Sequence, residues 1–190
     1  MIEHVNYALK MGWHFRKALR QYKISDELHA PTLFDLDLAA LKASGVKVLA
    51  LDFDGVLASH GEENPALESV TWLHHCLIFW PASSIYIVSN RPTLKRAEFF
   101  SREFPGIQFV RGARKKPYPD ALLSLFEKAQ VLPNSVCVVD DRLLTGILGA
   151  LIVGAQARWI TRPMVSLKKR PLTESFFWTL RFLERHYVEL

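Results

Sequence analysis

Two aspartates separated by one residue, Asp52 and Asp54, have the types and spacing best suited to do chemistry in this chain. They follow the apolar run 48–51 and precede a glycine, Gly55. In an extended backbone, residues two apart point to the same side, so both carboxylates can reach one site. Such a pair suits magnesium-assisted phosphoryl transfer, with one acid as nucleophile or metal ligand and the other as proton donor. A strand that simply ends in two solvated acids explains these few residues about equally well.

The elements that must position these acids alternate along the chain after residue 45. Five apolar runs are typical of strands, at 46–52, 85–89, 107–110, 136–140 and 157–161. Helical patterns occur near 63–79, 92–103, 118–130 and 143–150. The alternation predicts an α/β fold: a Rossmann-like parallel five-stranded sheet with helices on both faces. Ligands of such sheets bind beyond the carboxyl ends of the strands, and the polar residues there are Asp52, Ser89, Asp140 and Asp141.

Both ends of the chain are predicted to be helical. The first helix spans about 2–22, and its apolar face and basic residues allow it to lie on a membrane surface or to pack on its own domain. The last helix begins after Pro171, and its apolar residues at helical spacing are predicted to dock it on the domain: Leu172, Phe176, Leu180, Leu183 and Tyr187. We predict an N-terminal amphipathic helix and linker at 1–30 and a single domain at 31–190.

The composition restricts the class of partner. The net charge of +5 favours anionic partners such as phosphate esters, anionic lipid surfaces or nucleic acid. No segment is apolar for long enough to predict a transmembrane helix, and the amino terminus lacks the pattern of a secretory signal. Cys76 and Cys137 fall in apolar stretches without metal-ligand spacing, which indicates core thiols and a reducing, cytoplasmic location.

Four segments in order resemble the signature of the haloacid dehalogenase-like (HAD) phosphohydrolase superfamily. They are the Asp-x-Asp run at 52–57, the Ile-Val-Ser-Asn strand end at 87–90, the basic run at 114–117 and the Val-Val-Asp-Asp strand end at 138–141. The chain resembles one branch more closely, the YqeG-like proteins and the mitochondrial phosphatidylglycerophosphate phosphatases. The branch-like segments are 36–38, 45–47, 88–90, 113–117, 143–149 and 183–185. This similarity covers about residues 31–186.

The resemblance implies a HAD-like fold and a catalytic role for several residues. Asp52 would attack phosphorus and form an aspartyl-phosphate, and Asp54 would act as general acid and base. Ser89 would hold the transferring phosphoryl oxygens, and Lys116 would stabilise their charge. Lys116 is preferred over Lys115 because the branch places its lysine directly before proline.

The resemblance also implies binding residues. A magnesium ion would take its ligands from Asp52, the Asp54 backbone carbonyl and Asp141. Near the strand ends, the side chains predicted to bind substrate phosphate are Ser89, Asn90, Arg91 and Arg114. Helix capping by the first two and plain solvation of the two arginines are the alternatives.

Two departures from the branch concern the metal site and the first motif. The fourth motif of the branch reads Gly-Asp with another Asp five residues later, whereas here the glycine is replaced by Asp140 and the later acid by Gly146. Asp140 could supply the missing carboxylate. The first motif has Gly55-Val56 where the branch tends to have Asn-Thr.

The intervals between the motifs leave no room for a cap domain over the site. An uncapped site suits a phosphate on something large, and phosphatidylglycerophosphate is the leading substrate hypothesis. We therefore predict a magnesium-dependent phosphatase, cytoplasmic or peripheral at a membrane surface through residues 1–22, without a nucleic-acid partner. The alternatives are a phosphatase for a soluble ester or phosphoprotein, and a catalytically reduced binding module that docks to RNA or ribosomes.

Overall fold

The computed structural model describes residues 2–190; Met1, which the predicted 1–22 segment includes, lies outside them. The strands are β1 His29–Ala30, β2 Val48–Leu51, β3 Ile85–Val88, β4 Gln108–Val110, β5 Val136–Asp140 and β6 Gln156–Ile160. The helices are α1 Ile2–His14, α2 Arg16–Ile24, α3 Leu38–Ala43, α4 Leu67–Cys76, α5 Leu94–Glu103, α6 Asp120–Ala129, α7 Leu148–Val153 and α8 Pro171–Tyr187. A π-helical turn, Leu143–Ile147, leads into α7.

The strands form one parallel sheet in the order β1-β6-β5-β2-β3-β4. This confirms the predicted Rossmann-like fold class, with six strands where five were predicted. The additional strand, β1, consists of two residues and is therefore too short to show an apolar run. The central strands β2, β3 and β5 are buried throughout, because helices cover both faces of the sheet.

Alternate residues of β2 face two separate hydrophobic clusters. Leu49 and Leu51 belong to the cluster on one face, and Val48 and Ala50 belong to the cluster on the other. Each fully buried leucine or valine stabilises the fold by about 1.5–3 kcal/mol relative to an exposed one. The two clusters fix the register of β2, since a shift of one residue would exchange its faces. The position of Asp52 at the end of β2 is fixed with it.

The N-terminal segment forms two helices where one was predicted. Leu19 and Tyr22 of α2 are buried in a cluster that also contains β-sheet residues. The Lys23 ammonium of the same helix forms an ion pair with Glu189 near the C-terminus. The division of the chain at residue 30 stays a prediction.

The prediction for the last helix is wrong for Leu172 and Phe176, which are 86% and 58% exposed, whereas Tyr187 packs against the core as predicted. The buried residues of α8 are instead Glu174, Arg181 and Glu184. Each has a partner on the domain: Arg181 and Glu184 form ion pairs, and Glu174 accepts a hydrogen bond from the His60 N–H. Between residues 2 and 190, no helix is both long and apolar enough to span a membrane.

Candidate active site

Three carboxylates meet at the carboxyl ends of two neighbouring central strands. β2 and β5 pair in parallel, with Leu51 opposite Val139, so that Asp52 follows one strand while Asp140 and Asp141 end the other. The backbone N–H of Asp52 donates to the Val139 carbonyl at 2.9 Å. One carboxylate oxygen from each aspartate lies within 4.8 Å of the others. The adjacency of β2 and β5 thus creates an acidic cluster from residues almost ninety positions apart.

Lys116 places its ammonium group between two of these acids. Its Nζ lies 2.9 Å from Asp52 Oδ1 and 2.6 Å from Asp140 Oδ2. The loop is held there because the Lys116 N–H donates to Asn90 Oδ1 at 2.8 Å and the Lys116 carbonyl lies 2.6 Å from the His4 Nε2 atom. Lys116 is buried, whereas Lys115 is exposed. Of the two candidate lysines, the structure therefore brings Lys116 to the cluster.

Burial and mutual repulsion disfavour full ionisation of the three clustered carboxylates. Burial raises the pKa of Asp52 to about 8, with Asp140 and Asp141 adding to the rise and Lys116 opposing it. For Lys116, burial lowers the pKa, but the two neighbouring carboxylates outweigh it and the pKa lies above its ordinary value. Lys116 is therefore a permanent cation here. A further positive charge beside Asp52 would favour the ionised carboxylate that a nucleophile requires.

Asp141 is held by an arginine of the C-terminal helix. The Arg181 Nε donates to Asp141 Oδ2 at 2.5 Å, and both side chains are buried. Among the described residues, Asp141 Oδ1 has no hydrogen-bond partner. Gly55 has a φ of +90°, and a Cβ on it would lie 2.6 Å from Asp141 Oδ2. The glycine after the Asp-x-Asp run thus lets the loop pass close to the acids.

The residues fit a divalent cation of the hard, oxygen-binding kind. Asp52, Asp140 and Asp141 supply carboxylate oxygens close together, which are the donors that Mg²⁺ prefers. The buried Asp141 Oδ1 is an acceptor that the described protein groups leave unsatisfied. Nitrogen and sulfur ligands are not among the three grouped side chains, which disfavours zinc.

Asp140 occupies the space beside Gly146. A Cβ built on Gly146 would lie 1.9 Å from Asp140 Oδ2 and 2.1 Å from its Cγ. Asp140 is fully buried, and its Oδ1 accepts a hydrogen bond from the Arg142 N–H at 2.9 Å. The carboxylate at 140 and a side chain at 146 therefore exclude each other. The two departures from the branch pattern in the fourth motif are thus sterically coupled.

Asp54 is bound by a residue that the sequence did not indicate, Arg96. The guanidinium donates to both carboxylate oxygens, at 2.9 and 2.8 Å, and is fully buried against the Phe53 ring. The Gly61 N–H adds a third hydrogen bond, at 3.0 Å. Burial raises the pKa of Asp54, but these donors outweigh it and hold the pKa below its ordinary value. These hydrogen bonds therefore hold the Asp54 side chain in place and favour its ionised form.

The other predicted residues are placed differently from one another. Ser89 is buried and its Oγ accepts a hydrogen bond from the Arg91 N–H at 3.1 Å, in the turn that precedes α5, whose N-cap is Thr93. Asn90 positions the Lys116 loop, as described above, and both Asn90 and Arg91 line the cavity over the acids. Arg114 is not among the residues lining that cavity. It pairs with Asp120 at 2.8 Å and stacks on Tyr118.

Sequence reasoning missed Arg96, Arg181 and the ion pair between His60 and Glu174. Arg96 lies on the first turn of α5, where Thr93 caps the helix, and its spacing from Asp54 carries no signal. Arg181 has a weak signal, since α8 carries charges at 174, 181 and 184 on one helical face. Burial lowers the pKa of His60 to about 4, and nearby Arg181 adds to this despite Glu174.

A cavity of about 900 Å³ opens over the cluster. Its polar end includes Asp52, Asp54, Asp141 and Lys116, and its other walls come from α1 and α8. The segments between the acids and the lysine contain α4, α5 and β4, with a short 3-10 turn at Ala82–Ser84. A phosphate ester can therefore reach the acids without the opening of a further domain.

Comparison with known proteins gives a family for this arrangement. A solved p-nitrophenyl phosphatase from Archaeoglobus fulgidus is similar at 10% identity and a TM-score of 0.26, over 75% of this chain and 65% of that one. The present chain thus spans slightly less than two thirds of that protein. No curated protein matches. The model of the family described as mitochondrial PGP phosphatase matches residues 16–165, including the acidic cluster and Lys116. The chain belongs to the mitochondrial PGP phosphatase family.

Proposed function

We propose that the protein is a magnesium-dependent phosphomonoester hydrolase in which Asp52 is the nucleophile. The observation that carries the proposal is the cluster of the half-buried Asp52 with the buried Asp140 and Asp141, with Lys116 between two of them. Family membership supports the phosphatase activity. The strand ends make this group rigid, which suits a reaction that depends on positioning and on charge stabilisation.

A magnesium ion would be held by Asp52, Asp141 and Asp140, with the Asp54 backbone carbonyl as a further candidate ligand. The ion would supply positive charge against the phosphate oxygens. The charges of the protein indicate why the ion is needed. Among the described residues, the three clustered carboxylates form ion pairs with two cations, Lys116 and Arg181. A doubly negative phosphate would add to that excess.

The covalent steps follow from Asp52 and the substrate. An Asp52 carboxylate oxygen forms a bond to phosphorus while the bond from phosphorus to the ester oxygen breaks, and the alcohol leaves with a proton. Water then attacks phosphorus, the bond to Asp52 breaks, and inorganic phosphate is released with Asp52 regenerated. Lys116 Nζ, next to Asp52, stabilises charge on the carboxylate and on the phosphoryl oxygens in both steps.

Asp54 is proposed to act as the general base and general acid, and its pair with Arg96 favours the ionised form. As a carboxylate held by Arg96, Asp54 is suited to accept a proton from the attacking water. That proton then serves the leaving oxygen of the next substrate. The Arg96 pair opposes this protonated state, so proton uptake from the water is the step that the pair should slow.

The proposed substrate is the phosphate of a membrane phospholipid such as phosphatidylglycerophosphate, at a membrane surface. The family description and the open cavity support this choice. The exposed Arg91 and Lys115 at the cavity suit an anionic headgroup. A soluble phosphate ester or a phosphoprotein would use the same catalytic groups and is the second candidate.

The test is phosphate release by the full chain from p-nitrophenyl phosphate, with and without Mg²⁺, and from phosphatidylglycerophosphate in vesicles. We expect Asp52→Asn to reduce turnover by more than about a thousandfold. Asp26→Asn, at a fully exposed aspartate, is the matched control and should leave turnover unchanged. Borohydride reduction during turnover should convert Asp52 to homoserine, detected by peptide mass spectrometry. Turnover that survives Asp52→Asn would refute the mechanism, and the absence of turnover on every ester would favour a binding module.

A further inference from the structure

The C-terminal helix α8 turns its charged face inward and leaves an apolar face uncovered. On the inner face, Glu174 contacts His60 at 3.2 Å, Arg181 contacts Asp141, and Glu184 contacts Arg142. These pairs fix the rotation of the helix about its own axis. The opposite rotation, which would bury the apolar side chains, would leave the Asp141 carboxylate and the Arg142 guanidinium without these partners.

The uncovered side of α8 is a continuous apolar stripe beside the catalytic cavity. Phe176, Leu180, Leu183 and Tyr187 follow one another at spacings of four, three and four residues and therefore share a face. All four line the cavity, and Phe176 and Leu183 are 58% and 56% exposed. Large apolar side chains left together in water usually mark a binding surface.

Helix α1 forms the facing wall of the same cavity. Its residues Val5, Ala8 and Leu9 line the cavity, and Val5 and Leu9 are exposed. The Tyr187 hydroxyl donates to the Leu9 carbonyl at 2.7 Å and joins the two helices. The space between α1 and α8 is thus a groove with apolar walls, and we call it the α1–α8 groove.

The α1–α8 groove is continuous with the acidic cluster. Asp52, Lys116 and Asp141 line the same cavity as the apolar walls. The exposed cations Arg91 and Lys115 also line it. A ligand that fills the whole cavity would need an anionic group at one end and an apolar portion at the other.

We infer that the α1–α8 groove binds the acyl-chain region of a phospholipid while the lipid's phosphate reaches Asp52. The inference rests on the proposed function and adds where the lipid is held. Docking on a bilayer would then occur through the apolar residues of α8 and α1. A water-soluble phosphate would leave both apolar walls exposed to water, whereas acyl chains at a membrane surface would cover them. The cations at the cavity match an anionic headgroup.

Vesicle flotation of the full chain tests this without requiring turnover. The vesicles contain phosphatidylglycerol in phosphatidylcholine, with pure phosphatidylcholine for comparison. The groove variant is Phe176→Glu/Leu183→Glu. The matched control is Ile78→Glu/Leu132→Glu, which adds the same charge at two exposed aliphatic residues outside the cavity lining. Both are checked by thermal unfolding, so that a misfolded variant is replaced by Phe176→Ser/Leu183→Ser.

We expect the wild-type chain to bind the anionic vesicles and the groove variant to bind at least about tenfold more weakly. The control variant should stay within about twofold of the wild type. Equal loss in both variants, or no binding by the wild type, would overturn the inference. A wild-type dimer in light scattering that becomes monomeric in the groove variant, without vesicle binding, would instead assign the groove to a second copy of the chain.

The same samples separate this inference from the proposed function. Asp52-dependent turnover of p-nitrophenyl phosphate without vesicle binding overturns the lipid groove and retains the phosphatase. Vesicle binding that depends on the groove residues, without turnover of any ester, retains the groove and overturns the phosphatase.

Discussion

Gly146 is the position where one added carbon atom should disturb the acidic cluster most. In Gly146→Ala the new Cβ would lie 1.9, 2.1 and 2.4 Å from Asp140 Oδ2, Cγ and Cβ. Ordinary van der Waals contact begins at 3.4 Å. Because the overlap includes the Cβ of Asp140, rotation of its carboxylate cannot relieve it, and either the π-helical turn or strand β5 must shift.

The structure indicates the size of the effect. Asp140 is fully buried and accepts the Lys116 ammonium at 2.6 Å. Overpacking of a core costs about 1–3 kcal/mol, and disruption of a buried ion pair costs about 3–5 kcal/mol. Alanine gains up to about 1 kcal/mol over glycine in a helix. We therefore expect Gly146→Ala to lower the free energy of unfolding by about 3–7 kcal/mol.

Gly149→Ala is the matched control one turn further along, in α7. A Cβ there would meet its nearest neighbour, the Pro117 carbonyl oxygen, at 3.7 Å. This is an ordinary contact, so the control should be neutral or more stable by up to about 1 kcal/mol. Urea unfolding of the wild type and both variants measures the difference. Equal stability of the two alanine variants would refute the steric argument.

Reciprocal exchange extends the test to activity. Gly146→Asp alone should be severely impaired, because its side chain collides with Asp140. The double variant Asp140→Gly/Gly146→Asp removes the collision and restores the pattern of the branch. We expect the double variant to be more stable and more active on p-nitrophenyl phosphate than Gly146→Asp. A double variant no better than Gly146→Asp would show that the two positions do not compensate each other.

Three further variants test the cations around the cluster. Arg96→Gln should lower the free energy of unfolding at neutral pH by about 3 kcal/mol, because it leaves the half-buried Asp54 with one donor, the Gly61 N–H. Because Arg96 depresses the pKa of Asp54, this stabilisation is present above the pKa that Asp54 has in the unfolded chain and is lost as the pH falls below about 4. The urea midpoints of the wild type and the variant should therefore converge below about pH 4. Lys116→Met should lower kcat by about a hundredfold or more, whereas Lys115→Met should change kcat less than about fivefold. Steady-state kinetics measure both values, and the reverse order would assign catalysis to Lys115. Arg181→Gln removes a cation that competes with Mg²⁺, so the half-activating Mg²⁺ concentration should fall about three- to tenfold, and an unchanged activation curve would contradict this.

Much of the fold could be predicted because it depends on local pattern. The apolar runs at β2, β3 and β5 are buried on both faces and show as uninterrupted hydrophobic stretches. The position of Asp52, Asp140 and Asp141 at strand ends followed from the same runs. Strand β1 was not predicted because its two residues are too few to show the alternation of a strand.

The helix α8 shows where local pattern was misleading. Its apolar residues have helical spacing, and that spacing normally identifies the buried face. Here Asp141 and Arg142 present charges, and His60 presents a hydrogen-bond donor, that attract the other face of the helix. Helical periodicity shows that the two faces of a helix differ in polarity. Which face is buried depends on the surface that the helix packs against.

The parallel α/β sheet and the acids at its carboxyl edge can be predicted from the chain alone, because they depend on residues close together in it. The tertiary structure was needed to show that Arg96 binds Asp54, that Arg181 reaches Asp141, and that Asp140 fills the space beside Gly146. These contacts join residues 6 to 42 positions apart, and nothing in their spacing marks them. They arise from the folding of helices over the strand ends, where burial forces each charge to find a partner.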